Sequence, residues 1–155
     1  MMTYATRDQL FTHIDGNGGE LSRISNRING ASEDGDKIQQ ALEFATAEMN
    51  EYLAKRYALP ITACGVDGFG NTIYPVGLVE ICCDMARYDL YEDVAPDNTV
   101  VRRKDEAIER LKRIAKGEAI LFCSNGDVVP VANSAFVAAV EQRAEFNCFI
   151  KPCGC

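Results

Sequence analysis

Seven cysteines are the residues of this 155-residue chain with the most chemistry to offer. Cys148, Cys153 and Cys155 bring three soft ligands together in a C-x4-C-x-C spacing, and either His13 or Cys123 would complete a tetrahedral set for zinc. The spacing lacks a C-x2-C knuckle and the chain has a single histidine, so free thiols are the plainer reading and no metal or cofactor is expected. A cysteine-based hydrolase or redox enzyme would also need a base, and His13 lies in a polar N-terminal segment far along the chain from those thiols. Cys82 and Cys83 fall in an apolar helical run, where cysteine behaves as a small hydrophobe. With no signal peptide and an odd count, reduced thiols are the expected state throughout.

Other chemistry-bearing patterns are weaker. The oxygen-rich stretches 15–20 and 29–36 do not place glycine sixth and glutamate twelfth as a calcium loop requires, so they read as turns. Gly65, Gly68 and Gly70 suggest a phosphate cradle only superficially, because Asn71 stands where a lysine would be needed. Glu43, Glu48, Glu51 and Lys55 form a solvated helix face with no nucleophile beside it. Catalysis is not expected.

The strongest charge feature is the segment 102–116, where Arg102, Arg103, Lys104, Arg110, Lys112, Arg113 and Lys116 outnumber Asp105, Glu106 and Glu109. Arg102, Arg103, Arg110 and Arg113 are candidate contacts to DNA phosphates or to an acidic partner. The competing reading is a solvated face whose late basic residues complement the helix dipole. No aromatic is interleaved, so base stacking is not suggested. The whole chain carries a formal charge of −7, which argues against gripping nucleic acid over its full surface.

These residues sit on elements that the pattern predicts to be mainly α: a small bundle of four principal helices with a loop or hairpin flap and an extended C-terminal tail. Thr6 and Gln9 form a capping-box pattern before Leu10, Phe11 and Ile14. A further turn is expected over 20–25. Asp36 is expected to cap a long helix whose stripe is Ile38, Leu42, Ala45, Met49 and Tyr52, widened by Ala41, Phe44 and Leu53 and stopped by Leu59-Pro60. Pro75 opens a third helix that is apolar over most of its circumference, with Asp84 and Arg87 as exceptions. A fourth helix runs from Asn98 or Thr99 to Gly117 with Val101, Ile108, Leu111, Ile114 and Ala115 inward. Asn125-Gly126-Asp127 reads as a turn between two extended runs, and 134–145 as a short helix. One domain of residues 1–117 plus an extension of 118–155 is the simplest division. Phe136, Phe146, Phe149 and Ile150 in that extension are candidate docking residues for a neighbouring chain. No stretch approaches the about 18 apolar residues of a membrane span, so synthesis in the cytoplasm and no membrane contact are expected.

Two helix ends carry aromatic and arginine residues suited to contacts between helices or subunits: Tyr52-Leu53-Ala54-Lys55-Arg56-Tyr57-Ala58-Leu59-Pro60 and Ala86-Arg87-Tyr88-Asp89-Leu90-Tyr91. With Tyr4-Ala5-Thr6-Arg7-Asp8-Gln9-Leu10 at the start, in this order and spacing, the chain resembles over residues 4–117 the small neck proteins of Mu-like phages and prophages. That family is designated a domain of unknown function and regarded as head-to-tail connectors or adaptors. The segment 62–74 is longer than the family's usual link, and 120–155 does not match it. The resemblance implies a structural protein with no reaction to catalyse. It would form a ring, twelve-fold by the family's pattern, beneath the portal protein and above a further neck or tail-completion protein, with genomic DNA passing through. Its place would be the virion neck. The alternative is a small helical DNA-binding regulator using 102–116, and a cysteine-based redox or metal-binding protein is the weaker third.

Overall fold

The structure, a computed structural model, describes residues 2–14, 35–91 and 98–132. The expected turn at 20–25, the helix at 134–145, and Phe136, Phe146, Phe149, Ile150, Cys148, Cys153 and Cys155 lie outside them. The described residues form four helices, α1 (Arg7–Ile14), α2 (Gly35–Leu53), α3 (Val76–Asp89) and α4 (Asn98–Lys116), with no strand longer than an isolated bridge. The mainly helical expectation holds.

Helix α3 packs against each of the other three, and α2 also touches α4. Its sequence dictates this position: Leu78, Ile81, Cys82, Cys83, Met85 and Ala86 are all buried, on more than one face. Such a helix needs neighbours on several sides, and only a rim with Val76 and Glu80 stays exposed. α2 offers Ile38, Ala41, Leu42, Ala45, Met49 and Leu53 as one inward stripe at steps of three and four. Fully burying each of the larger side chains contributes about 1.5–3 kcal/mol.

Local signals position the ends. The Thr6 backbone N–H donates to Gln9 Oε1 at 2.8 Å while the Gln9 N–H donates to Thr6 Oγ1 at 3.3 Å, so the capping box forms in both directions. It lets α1, only one buried residue deep at Leu10, start where Tyr4 and Ala5 enter the core. The Tyr4 N–H donates to Thr46 Oγ1 at 3.2 Å, its hydroxyl donates to Asn50 Oδ1 at 2.6 Å, and its ring meets that of Tyr74 edge-on at 5.0 Å. α4 ends in a Schellman motif: Gly117, at φ 84°, donates to the Ile114 carbonyl and Glu118 donates to the Arg113 carbonyl.

Several expectations are corrected. α2 begins at Gly35, so Asp36 lies in its first turn instead of capping it. The helix ends at Leu53, before Leu59-Pro60, because a tight turn brings Tyr57 and Ile61 into the core. Phe44 is 60% exposed and does not widen the stripe. Pro75 precedes α3 as its cap instead of opening it. In α4 the inward positions are Val100, Ala107, Leu111 and Ile114, one residue out of phase with the expected Val101 and Ile108, since Val101 is 36% exposed.

The boundary expected at Gly117 does not close the packed unit either. Leu121, Cys123 and Val129 are buried in the same core as the helices, and the Ala132 N–H donates to the Arg56 carbonyl at 2.9 Å. Residues 119–131 therefore complete the fold. Truncating Met85 to alanine should cost about 2–5 kcal/mol in urea-unfolding experiments, whereas Phe44→Ala should change stability by less than about 0.5 kcal/mol. Equal losses at the two positions would contradict the placement of α3 at the centre.

Candidate functional site

Among the described residues, the groups with most chemical potential are committed to structure. His13 Nε2 and Asp84 Oδ1 are 2.8 Å apart, and Arg103 Nη1 reaches the same carboxylate oxygen at 3.6 Å, so one charge cluster ties α1, α3 and α4 together. Cys82 and Cys83 are buried free thiols; burial pushes Cys82 up to about 11 and Cys83 up to about 12. Both stay protonated and inert at neutral pH. No cluster of three or more metal-ligating side chains occurs among the described residues.

The expectation of reduced thiols throughout is overturned at Cys64 and Cys123. They form a disulfide with a Cα–Cα distance of 5.3 Å, 59 residues apart in sequence. Cys123 is therefore unavailable as the fourth ligand of a zinc set, and His13 is already joined to Asp84. The pairing was not legible because it depends on two hairpins meeting. In the first, Val66 bridges Thr72, and the Asp67 carboxylate accepts from the Asn71 side-chain amide at 3.0 Å, the main cause that holds it below the usual carboxylate range, and from the Asn71 and Phe69 backbone N–H groups. In the second, Phe122 bridges Val128 around the Asn125-Gly126-Asp127 turn, with Gly126 at φ 89°.

The four candidate arginines are brought together. Arg102, Arg103, Arg110 and Arg113 line one open groove of about 600 Å³ between α1, α3 and α4. They do not present a free basic face, however. Arg102 pairs with Glu106 at 3.6 Å, Arg103 with Asp84 at 3.6 Å, and Arg110 donates to Glu80 at 3.3 Å. Beyond the groove, Lys104 lies 3.3 Å from Asp89 and over the Tyr88 ring at 4.2 Å, and Lys112 donates to Glu109 at 2.6 Å. Acidic side chains from α3 offset much of the local excess seen along α4.

The aromatic helix ends, suited by sequence to contacts between helices or subunits, make contacts within the fold. Tyr57, Leu90 and Tyr91 are buried, Tyr88 is covered by Lys104, and the Arg56 guanidinium packs on Gly117 so closely that any Cβ there would collide with it. These residues fix the fold. What sequence reasoning missed is the outward side of the hairpins, where Val66, Phe69, Ile120, Phe122 and Val128 are exposed. The available signal was the alternation over 120–123 and 128–129.

The described residues thus make a small helical protein, with none of its helices long and apolar enough to cross a membrane, whose solvent-facing features are a charge-paired groove and an apolar hairpin face. Over residues 4–139 the chain matches the family described as Bacteriophage Mu, Gp36, and it belongs to that family. It is 32% identical over 129 residues to the Mu-like prophage FluMu protein gp36 of Haemophilus influenzae, covering 82% of this chain and 81% of that one. The match continues past Gly117, so the family pattern includes the second hairpin, which the resemblance over 4–117 left out.

Opening the disulfide with reductant, or replacing Cys123 by serine, should lower stability by about 2–4 kcal/mol in urea unfolding, because a long loop is released in the unfolded chain. An unfolding midpoint indifferent to reductant would contradict the link. A second expectation concerns alkaline pH. Burial pushes Tyr4 up to about 12, and Cys82 and Cys83 rise as stated, so the fold retains protons that the unfolded chain gives up above pH about 9–10. Stability should be full below that range and fall as pH climbs through 11 to 12, with the fall reduced in a Cys82→Ala, Cys83→Ala variant. A thermal midpoint flat from pH 8 to about 11 would oppose this assignment.

Proposed function

We propose that this phage-related chain is a structural neck protein: a head-to-tail connector that assembles as a ring beneath the portal, with DNA passing through its centre. The observation that carries the reading is membership of the Mu Gp36 family over most of the chain, together with a prophage relative matched across 81% of its length. The fold is compatible with it. A rigid helical unit with its reactive groups locked into core, ion pairs and a disulfide suits a part whose work is to hold position. On this reading the protein catalyses no reaction, and its place is the virion.

A ring needs heterologous contacts, in which one face of a subunit meets a different face of the next. The arginine groove is one surface that such a contact could use. The net charge of −7 suits a channel past which DNA must slide without adhering. The regulator reading is disfavoured by the pairing of Arg102, Arg103 and Arg110 with carboxylates, which leaves little free positive charge to displace counterions.

The test is the mass of the purified chain in solution with and without its cognate portal. The connector reading expects a ring-sized complex with the portal, and no salt-dependent affinity for duplex DNA in the chain alone. Tight duplex binding that weakens steeply with salt, with no portal complex, would replace it by the regulator reading.

A further inference from the structure

Five of the ten exposed large hydrophobic side chains among the described residues belong to the two short hairpins: Val66, Phe69, Ile120, Phe122 and Val128. Scattered exposed hydrophobics are ordinary, but a cluster on one substructure marks a surface that something covers. The second hairpin shows the reason in its register. Leu121, Cys123 and Val129 face the core, so Ile120, Phe122 and Val128, at alternate positions, are driven outward, and the bridged pair Phe122 and Val128 forms an apolar spot about half exposed. The disulfide keeps the first hairpin beside it, and Ser124 shares a cleft with Asp67, Gly70 and Asn71.

We propose that residues 133–155 of the same chain cover this outward face, with Phe136, Phe146 and Phe149 as the inserted side chains. Reach, composition and charge all favour this occupant. The segment departs from Ala132, which is fixed by its bond to the Arg56 carbonyl and lies four residues beyond Val128. At about 3.5 Å per residue, both Val128 and Phe136 fall within roughly 14 Å of Ala132. A tether of that length places the phenylalanines at an effective concentration in the millimolar range, above that of any free partner. The segment is apolar at Phe136, Val137, Val140, Phe146, Phe149 and Ile150, and its charged side chains, Glu141, Arg143, Glu145 and Lys151, cancel. It therefore meets no repulsion from the rest of the subunit. Docking on the chain's own hairpins takes the place of the expected docking of these phenylalanines on a neighbour or the portal.

The chain contains no tryptophan, which makes a direct reading possible. In the full-length protein, Phe122→Trp introduces a single indole at the face, and Val128→Trp gives a second, independent reporter. At low micromolar concentration, with monomeric mass and unchanged circular dichroism, the indole should emit at short wavelength and resist acrylamide. Adding Phe136→Ser, Phe146→Ser and Phe149→Ser should shift the emission to the red and raise quenching several-fold. Three results would overturn the proposal: an indole already solvent-exposed in the otherwise unaltered chain, protection that survives the three serines, or protection that appears only as the mass doubles. The last would assign the face to a second copy. The measurement uses the isolated chain, so it stands or falls separately from the connector reading.

Discussion

A helix that is apolar on nearly every side cannot lie on a surface, and the position of α3 is the constraint from which the rest of the molecule follows. α2 and α4 must flank it, α1 must close a third side, and the gaps left between helices must be filled by whatever else the chain provides. Tyr4 fills one such gap, bonded to α2 through Thr46 and Asn50. Leu121, Cys123 and Val129 fill another. The polar exceptions on α3 are handled at its rim, where Asp84 is satisfied by His13 and Arg103.

Much of this was legible in the chain because helical periodicity and end signals are local. The capping box at Thr6 and Gln9, the stripe of α2, the all-round apolarity of α3 and the glycine stop at Gly117 each depend on residues a few positions apart. The failures have a common cause in tertiary choice. In α4, Val101 and Ile108 are as apolar as Val100 and Ala107, so period alone cannot fix which edge of a wide stripe faces inward; the contact with α3 decides. Phe44 lies outside the buried arc, which runs through Ala41, Leu42, Ala45 and Thr46. The disulfide depends on two hairpins 59 residues apart becoming neighbours, which no local pattern encodes.

The same distinction applies to the functional surfaces. A run of arginines is visible in sequence, and the structure does gather Arg102, Arg103, Arg110 and Arg113 into one groove. Their carboxylate partners Glu80 and Asp84 come from α3, so the cancellation of charge is a tertiary fact. The motifs that carry the family pattern behave differently again. Tyr4, Ala5, Leu10, Leu53, Tyr57, Leu90 and Tyr91 are core, and Thr6 and Gln9 are a cap. In this chain they specify the fold.

A body stiffened by a central helix, a three-helix charge cluster and a covalent link between hairpins is suited to bearing load between larger components, and that is the role proposed for this member of the Mu Gp36 family. Symmetry in the particle tests it most directly. Electron cryomicroscopy of intact virions from the phage that encodes the chain should place its four helices in a closed, rotationally symmetric ring on the particle axis, directly below the portal. Absence of the chain from purified virions, or its presence only off that axis, would contradict the account.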